Sequence, residues 1–247
     1  MRVYQFRHAR ERRQEITLPP NWQTKFVFLS PFFVAHCLYM KVLITAGPTR
    51  EPLDPARYLT NRSSGRMGYA LAAAAAKRGH SVLLISGPTS LELPKDVDYL
   101  PIETAADMYQ AVESQIGRMD IAIFAAAVAD YTPANVSEQK IKKSDEEITL
   151  TLVKTKDILG SARRVMDYKG ILVGFAAETE NVEENAREKC LRKHCDLVIA
   201  NDVSRKDIGF DSSENEVTLV YPDRSEALPQ DSKEHLAFHL IELIEDL

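Results

Sequence analysis

Cysteine is scarce in this sequence, and no pattern makes it a ligand. The three cysteines among 247 residues, Cys37, Cys190 and Cys195, form neither a CxxC pair nor a metal-binding spacing. An odd count suits a reducing compartment better than a disulfide framework, which points to the cytoplasm. No apolar run approaches the roughly 18 residues that cross a bilayer. The stretch Phe26 to Tyr39 follows basic residues as a signal peptide would, but Pro31 interrupts it and the basic part is long. Glycines do not fall in GxGxxG order, so the dinucleotide fingerprint is missing. None of the nine tyrosines is followed by lysine four positions later. That removes the acid/base pair of a short-chain NAD(P)-dependent oxidoreductase. His235 and His239 are four apart but lack the glutamate of HExxH. There is no internal repeat and no low-complexity tract.

What is present is an ordinary soluble composition, 45% apolar and 27% charged. The net charge of -5 is uneven, because residues 1–40 carry +4 and the remainder therefore -9. An acidic main body argues against a nucleic-acid surface. Met40 directly precedes the first apolar strand, so residues 1–39 read as an extension outside the fold, upstream of a natural start. Residues 40–247 read as one nucleotide-binding domain.

Within that domain, short apolar strands alternate with helices. Val42-Leu43-Ile44, Ser81 to Ser86, Asp98 to Ile102, Asp120 to Ala127, Ile171 to Phe175 and Leu197 to Ala200 read as strands. Several are apolar throughout, as in a sheet covered on both faces. Met67 to Lys77, Ala105 to Arg118, Asp157 to Tyr168, Asn181 to His194 and Ser232 to Leu247 read as helices. The expected fold is α/β: a doubly wound, mostly parallel Rossmann-like sheet flanked by helices. A β-excursion or flap over 132–156 breaks the rhythm, with Ile148 to Val153 alternating like a half-exposed strand. Glu216 to Tyr221 reads as an edge strand.

The stretch from Lys41 to Gly68 concentrates the chemistry. A strand breaks at Gly47-Pro48, a long polar loop carries Arg50, Asp54, Arg57, Asn61 and Arg62, and Ser63-Ser64-Gly65 lead into an alanine-rich helix. Gly47, Ser63, Ser64 and Gly65 serve equally as turn formers or, grouped before a helix start, as a binding site for anionic phosphate. Arg57 is by itself as much a surface ion-pair partner of Asp54 or Glu51 as a functional cation. Asp130 follows a buried strand, where open α/β sheets bind ligands, and suits Mg²⁺, nucleotide groups or a turn cap. Lys140-Ile141-Lys142-Lys143 is by composition a solvated face. Lys189 and Lys193 share one helix face.

TAGPTREPLDPARYLTNRSSGRMG, AAAVADY, KIKK, GFAAET and ANDVS…GF…NEVTLV follow one another in the order found in phosphopantothenoylcysteine synthetase, which the chain resembles from Met40 almost to its last residue. The resemblance implies a phosphopantothenate–cysteine ligase of coenzyme A biosynthesis, in stand-alone form without a flavin decarboxylase half. A 4′-phosphopantothenate carboxylate attacks the α-phosphate of a nucleoside triphosphate, CTP in most bacterial members. Pyrophosphate leaves, and the amine of L-cysteine then displaces CMP. The resemblance makes Asn61, Arg57 and Lys140 catalytic. It assigns the nucleotide to Gly47, Ser63, Ser64, Gly65, Phe124, Ala125, Ala126, Asp130, Lys140, Lys156, Asp157, Ile158, Leu159, Phe175, Lys189 and Lys193. It further implies Mg²⁺ with CTP, held in part by Asp130, no flavin, a homodimer, and a separate downstream phosphopantothenoylcysteine decarboxylase. Neither nucleic acid nor membrane is an expected partner. The alternatives are the oxidoreductase already weakened above and a non-catalytic nucleotide-binding module, which would leave Asn61, Arg57 and Lys140 without purpose.

Overall fold

The computed structural model describes residues 39–143, 147–204 and 214–247. Residues 1–38 of the expected extension over 1–39, and the Gly209-Phe210 part of the last motif, lie outside the described residues. Strand β1 (Lys41–Ala46) leads to a hairpin of β2 (Arg50–Asp54) and β3 (Arg57–Thr60), then helix α1 (Arg66–Lys77), β4 (Ser81–Ser86) and β5 (Val97–Pro101). Helix α2 (Ala105–Gln115), β6 (Ile121–Phe124), β7 (Tyr131–Pro133), β8 (Leu152–Lys154) and α3 (Ile158–Arg164) follow. The remainder is β9 (Ile171–Glu178), α4 (Val182–Lys193), β10 (Leu197–Asp202), β11 (Glu214–Val220), β12 (Ser225–Ser232) and α5 (Lys233–Glu245).

Eight strands form one sheet in the order β12-β11-β10-β9-β6-β1-β4-β5. From β10 to β5 all neighbours are parallel, whereas β11 and β12 are antiparallel additions. This is the doubly wound sheet expected. Because side chains alternate along a strand, β1 serves both faces. Val42 and Ile44 join α1 and α5 residues such as Leu71, Leu236 and Leu240 in one core layer. Leu43 points the other way, toward Met108 and Val112 of α2, Ala162 of α3 and Cys190 of α4. Burial pushes the Cys190 thiol up to about 11 and that of Cys195 up to about 12, so both remain protonated and unreactive at neutral pH.

The alanine-rich sequence of α1 has a steric reason. A Cβ at Gly68 would stand 2.5 Å from that of Ala46, so the helix start lies directly on the end of β1. Gly65, the residue before the helix, has φ of +79°, a conformation that favours glycine.

Three local expectations are corrected. The polar loop after Pro48 is a β-hairpin, anchored to α2 by Arg50 N donating to Glu103 O and by the buried Glu51 carboxylate accepting from Ala105 N at 2.9 Å. Its strands carry charges rather than apolar alternation, so periodicity missed them. Within Ile148 to Val153, only Leu152 and Val153 are strand, as part of β8 paired with β7; Thr151 O still accepts from Ala134 N at 2.9 Å, and the alternation over 148–151 otherwise gave a false signal. Finally, β11 is not the edge. β12 covers it, hidden in the sequence because Leu228 is its one buried residue and Pro229 falls at a bulge, a position where strands tolerate proline.

Candidate active site

The order of the sheet reverses at β1. The chain runs outward through β4 and β5, then returns to place β6 on the other side of β1. Open α/β sheets leave a crevice beyond the strand ends at such a point. Here a cavity of about 500 Å³ opens there, over Thr45 and Phe124 near the ends of β1 and β6 and over Phe175 within β9. Its walls carry five cations, Lys154, Lys156, Lys189, Arg192 and Lys193, against two carboxylates, Asp130 and Asp157.

These charges are held in place. Asp157 caps α3, its Oδ1 accepting from Gly160 N at 3.0 Å, while Oδ2 takes an ion pair from Lys193. Burial pushes this carboxyl up, but the Lys193 pair and the Gly160 amide outweigh it and leave it below the ordinary range. Lys189 Nζ donates to Phe175 O at 2.6 Å, tying α4 to β9. Burial, with Lys193 close by, lowers the affinity of Lys189 for its proton. An anion entering the cavity would restore that affinity. Lys156 lies over the Tyr109 ring, 4.4 Å from its centroid. A concave, cation-lined site at a switch point, with an aromatic floor, fits a nucleotide and its phosphates.

A smaller cavity of about 130 Å³ adjoins the first and shares Ala126 and Phe175 with it. Ser63, Ser64 and Gly65 form one side and the Ala125–Ala127 turn another. Asn201, Asn215 and Lys233 also border it, and Asn201 Oδ1 is buried there without a hydrogen-bond partner among the described residues. A buried carbonyl oxygen left unmatched is costly, and a donor brought by a ligand would relieve it. Gly47 lies beneath: its φ of +70° and the 2.9 Å that a Cβ would leave to Gly87 O assign it to shaping the turn.

Asn61 is fixed at the neighbouring turn. Its Nδ2 donates to Ala127 O and to Val128 O, both at 3.1 Å. Both amide protons are thus engaged, and Oδ1 is the end left to meet a substrate. Asp130, exposed beside the cavity, receives a bond from Thr155 N to its own backbone oxygen. Among the described residues no group of three His, Cys, Asp or Glu side chains is placed to hold a metal.

Arg57 and Lys140 lie elsewhere. Arg57 pairs with the buried Asp54 through Nε at 3.0 Å and through Nη2, which also donates to Ile141 O at 2.8 Å. Asp54 Oδ2 accepts from Ile141 N at 3.0 Å in return. With Lys140, Lys142, Lys143 and Ile148, Arg57 borders a separate basic hollow. The structure therefore gathers Phe124, Ala126, Asp130, Lys156, Asp157, Ile158, Leu159, Phe175, Lys189 and Lys193 at one cavity and Ser63, Ser64, Gly65 and Ala125 at its neighbour. Asn61 lines neither; it touches them only through Ala127 O and Val128 O and borders a third hollow, and Arg57 and Lys140 stand apart from both. Sequence reasoning missed Arg192, three residues after Lys189 and so on the same side of α4, and Lys154, whose alternation with Lys156 along one chain segment was a usable signal. Asn215 opens the NEVTLV motif but was not singled out within it, and nothing in the sequence pointed to Lys233.

Comparison with known proteins gives these cavities a family. Residues 38–247 match the family model described as DNA/pantothenate metabolism flavoprotein C-terminal domain. The chain is 50% identical over 208 residues, 83% of its length, to the coenzyme A biosynthesis bifunctional protein CoaBC of Vibrio vulnificus. It is 47% identical over 209 residues to the protein of that name in Escherichia coli. In both cases the chain spans about half the length of the relative, 52%. A crystal structure of the C-terminal domain of CoaBC superposes with a TM-score of 0.73 at 39% identity, covering 85% of this chain and 96% of that one. A structure of the DNA/pantothenate metabolism flavoprotein from Streptococcus pneumoniae gives a TM-score of 0.73 at 25% identity, covering 84% of this chain and 99% of the other. With the family model matching residues 38–247 and the C-terminal domain of a relative superposing over 85% of the chain, the chain belongs to the DNA/pantothenate metabolism flavoprotein C-terminal domain family.

Proposed function

We propose that this chain is a phosphopantothenate–cysteine ligase of coenzyme A biosynthesis, using CTP with Mg²⁺ in the cytoplasm. The observation that carries this reading is the continuity of the site. A cation-lined nucleotide cavity meets, at the Ala125–Val128 turn, the one side chain that the resemblance makes essential for amide formation, Asn61.

In this reading the nucleotide lies over Phe124 and Phe175 with its phosphates toward Lys189, Lys193 and the Ser63–Gly65 segment. The cations draw off charge as the substrate carboxylate oxygen bonds to the α-phosphorus and the bond to pyrophosphate breaks. Asn61 holds the acyl-nucleotide next to the turn. Its Oδ1 accepts a hydrogen bond from the incoming amine, whose nitrogen bonds to the acyl carbon as CMP departs with the electron pair and the surplus proton passes to water. Asp130, a single exposed carboxylate beside a phosphate-sized cavity, fits Mg²⁺ that keeps most of its ligands from water and phosphate oxygens. Bound there, the ion would supply charge neutralisation.

Arg57 and Lys140 reach this site from a second copy of the chain. Support comes from the same region: Tyr131, Ile148, Leu150, Leu152 and Val153 are all more than 40% exposed, an apolar strip suited to a homodimer contact. A monomeric mass in solution would remove this part of the reading. The ligase itself is tested by pyrophosphate release from 4′-phosphopantothenate and cysteine, with CTP and with ATP. Turnover is expected with CTP, and inertness with both nucleotides would end the proposal.

A further inference from the structure

Beyond the nucleotide cavity, Asn61 borders a distinct hollow of about 550 Å³ between the β2–β3 hairpin and the Pro88–Leu91 turn. Two guanidinium-bearing residues, Arg50 and Arg66, line it, and no carboxylate does. Arg50 is steadied by the Tyr58 ring, with its guanidinium carbon 4.6 Å from the centroid. Neither arginine has a carboxylate partner among the described residues, although the main body of the chain is acidic. Ser63, Ser64 and Arg66 form a partition common to this hollow and the smaller cavity behind the nucleotide site. Pro48, Pro88 and Leu91 supply an apolar side.

We propose that this hollow is the subsite for the amino-acid substrate, with Arg50 and Arg66 receiving its α-carboxylate. The inference rests on the ligase reading and gives a place to a reactant that this reading leaves unplaced. Planar guanidinium groups match a carboxylate in shape and charge. With the carboxylate anchored there, the α-amino nitrogen faces Asn61 Oδ1, whose own amide protons are already committed to Ala127 and Val128. A short side chain such as CH₂SH then lies against the apolar side, where a longer or charged one would meet Leu91 or lose its solvation. The nitrogen is thereby directed at the acyl carbon, where the C–N bond forms as the C–O bond to the nucleotide breaks.

The test is a comparison of apparent KM values for all three substrates in the full chain, in wild type, Arg50→Met and Arg66→Gln. Arg50→Met keeps an unbranched stem over Tyr58, and melting temperatures check folding. Each variant is expected to raise the KM for cysteine at least tenfold. Arg50→Met leaves the KM values for nucleotide and 4′-phosphopantothenate within twofold of wild type, and Arg66→Gln, at a residue that also borders the smaller cavity, raises the cysteine KM more than either of the others. Arg50→Lys, which keeps the charge but not the fork, is expected to fall between. An unmoved cysteine KM overturns the assignment, as does a rise confined to 4′-phosphopantothenate or nucleotide, which would make the hollow a phosphate subsite. A wild-type protein that forms no amide at all would instead take down the ligase reading, so the two failures are distinguishable.

Discussion

Asp54 and Ile141, separated by 87 positions, are joined through both backbone and side chain: the Asp54 carboxylate accepts the Ile141 amide while its partner Arg57 donates to the Ile141 carbonyl. One buried acid thus fixes the position of Lys140 relative to the β2–β3 hairpin. Asp54→Asn is expected to free the Lys140–Lys143 segment and to speed trypsin cleavage there at least tenfold under native conditions. The same acid sets a pH limit. The Arg57 guanidinium holds the Asp54 carboxyl well below the usual carboxylate range. Its contribution is full above the unfolded value near 4 and is lost as pH falls through the lower folded value. Protection of the segment is therefore expected to persist through pH 4, and loss between pH 5 and 6 would contradict the pairing.

Asn61→Asp is expected to separate the two chemical steps. A carboxylate there cannot donate to Ala127 O and Val128 O, and its charge repels both carbonyls. Pyrophosphate release in a single turnover should survive, while amide formation falls at least a hundredfold. Single-turnover analysis of both products checks this, and loss of nucleotide binding would refute the role.

Lys189→Met removes a half-buried cation while keeping chain length. A charge-assisted contact to phosphate is worth about 1.5–3 kcal/mol, so the KM for nucleotide is expected to rise by roughly 10- to 150-fold. The change also removes the bond to Phe175 O, whose loss is offset in part because burial already disfavours the charge of Lys189, so a fall in thermal stability of no more than about 1.5 kcal/mol should accompany it. Calorimetry and titration with nucleotide measure the two effects.

Gly68→Ala is expected to destabilise the domain by about 1–3 kcal/mol, since its methyl would drive α1 off Ala46. For a chain of this size that corresponds to a fall in Tm of roughly 2–12 °C. Gly79→Ala is a useful contrast, because a Cβ there meets nothing within 4 Å and only its φ of +90° opposes the change.

The sheet was largely legible because its central strands are buried on both faces and its helices keep an apolar stripe. β4 falls on Ser81–Ser86 as read, and β1, β6, β9 and β10 lie within a few residues of expectation. Elements whose stability comes from elsewhere were illegible. β2 and β3 are held by the buried Glu51 and Asp54, and β12 by ladder bonds to β11 rather than by its own side chains. For the site, spacing alone linked Lys189 with Lys193. The convergence of Phe124, Asp157 and Phe175 on one cavity came through family resemblance, because residues so distant in sequence meet only in the folded chain. Resemblance grouped Arg57 and Lys140 with them as well, and a single copy of the chain keeps those two outside that cavity.

The contact of α5 with α1 has a consequence for how the protein is made. Leu236, Leu240 and Ile244 complete the core layer begun by Val42 and Ile44, and Arg78 at the end of α1 is clamped by Glu242 and Glu245. During synthesis, the first strand and helix must wait with an apolar flank uncovered until residues 233–245 have cleared the ribosome. A nascent chain arrested before that point should be bound by chaperones and cleaved readily. One in which α5 is free of the ribosome should abruptly resist both, with the switch-point crevice closing as a late event in a nearly all-or-none folding step.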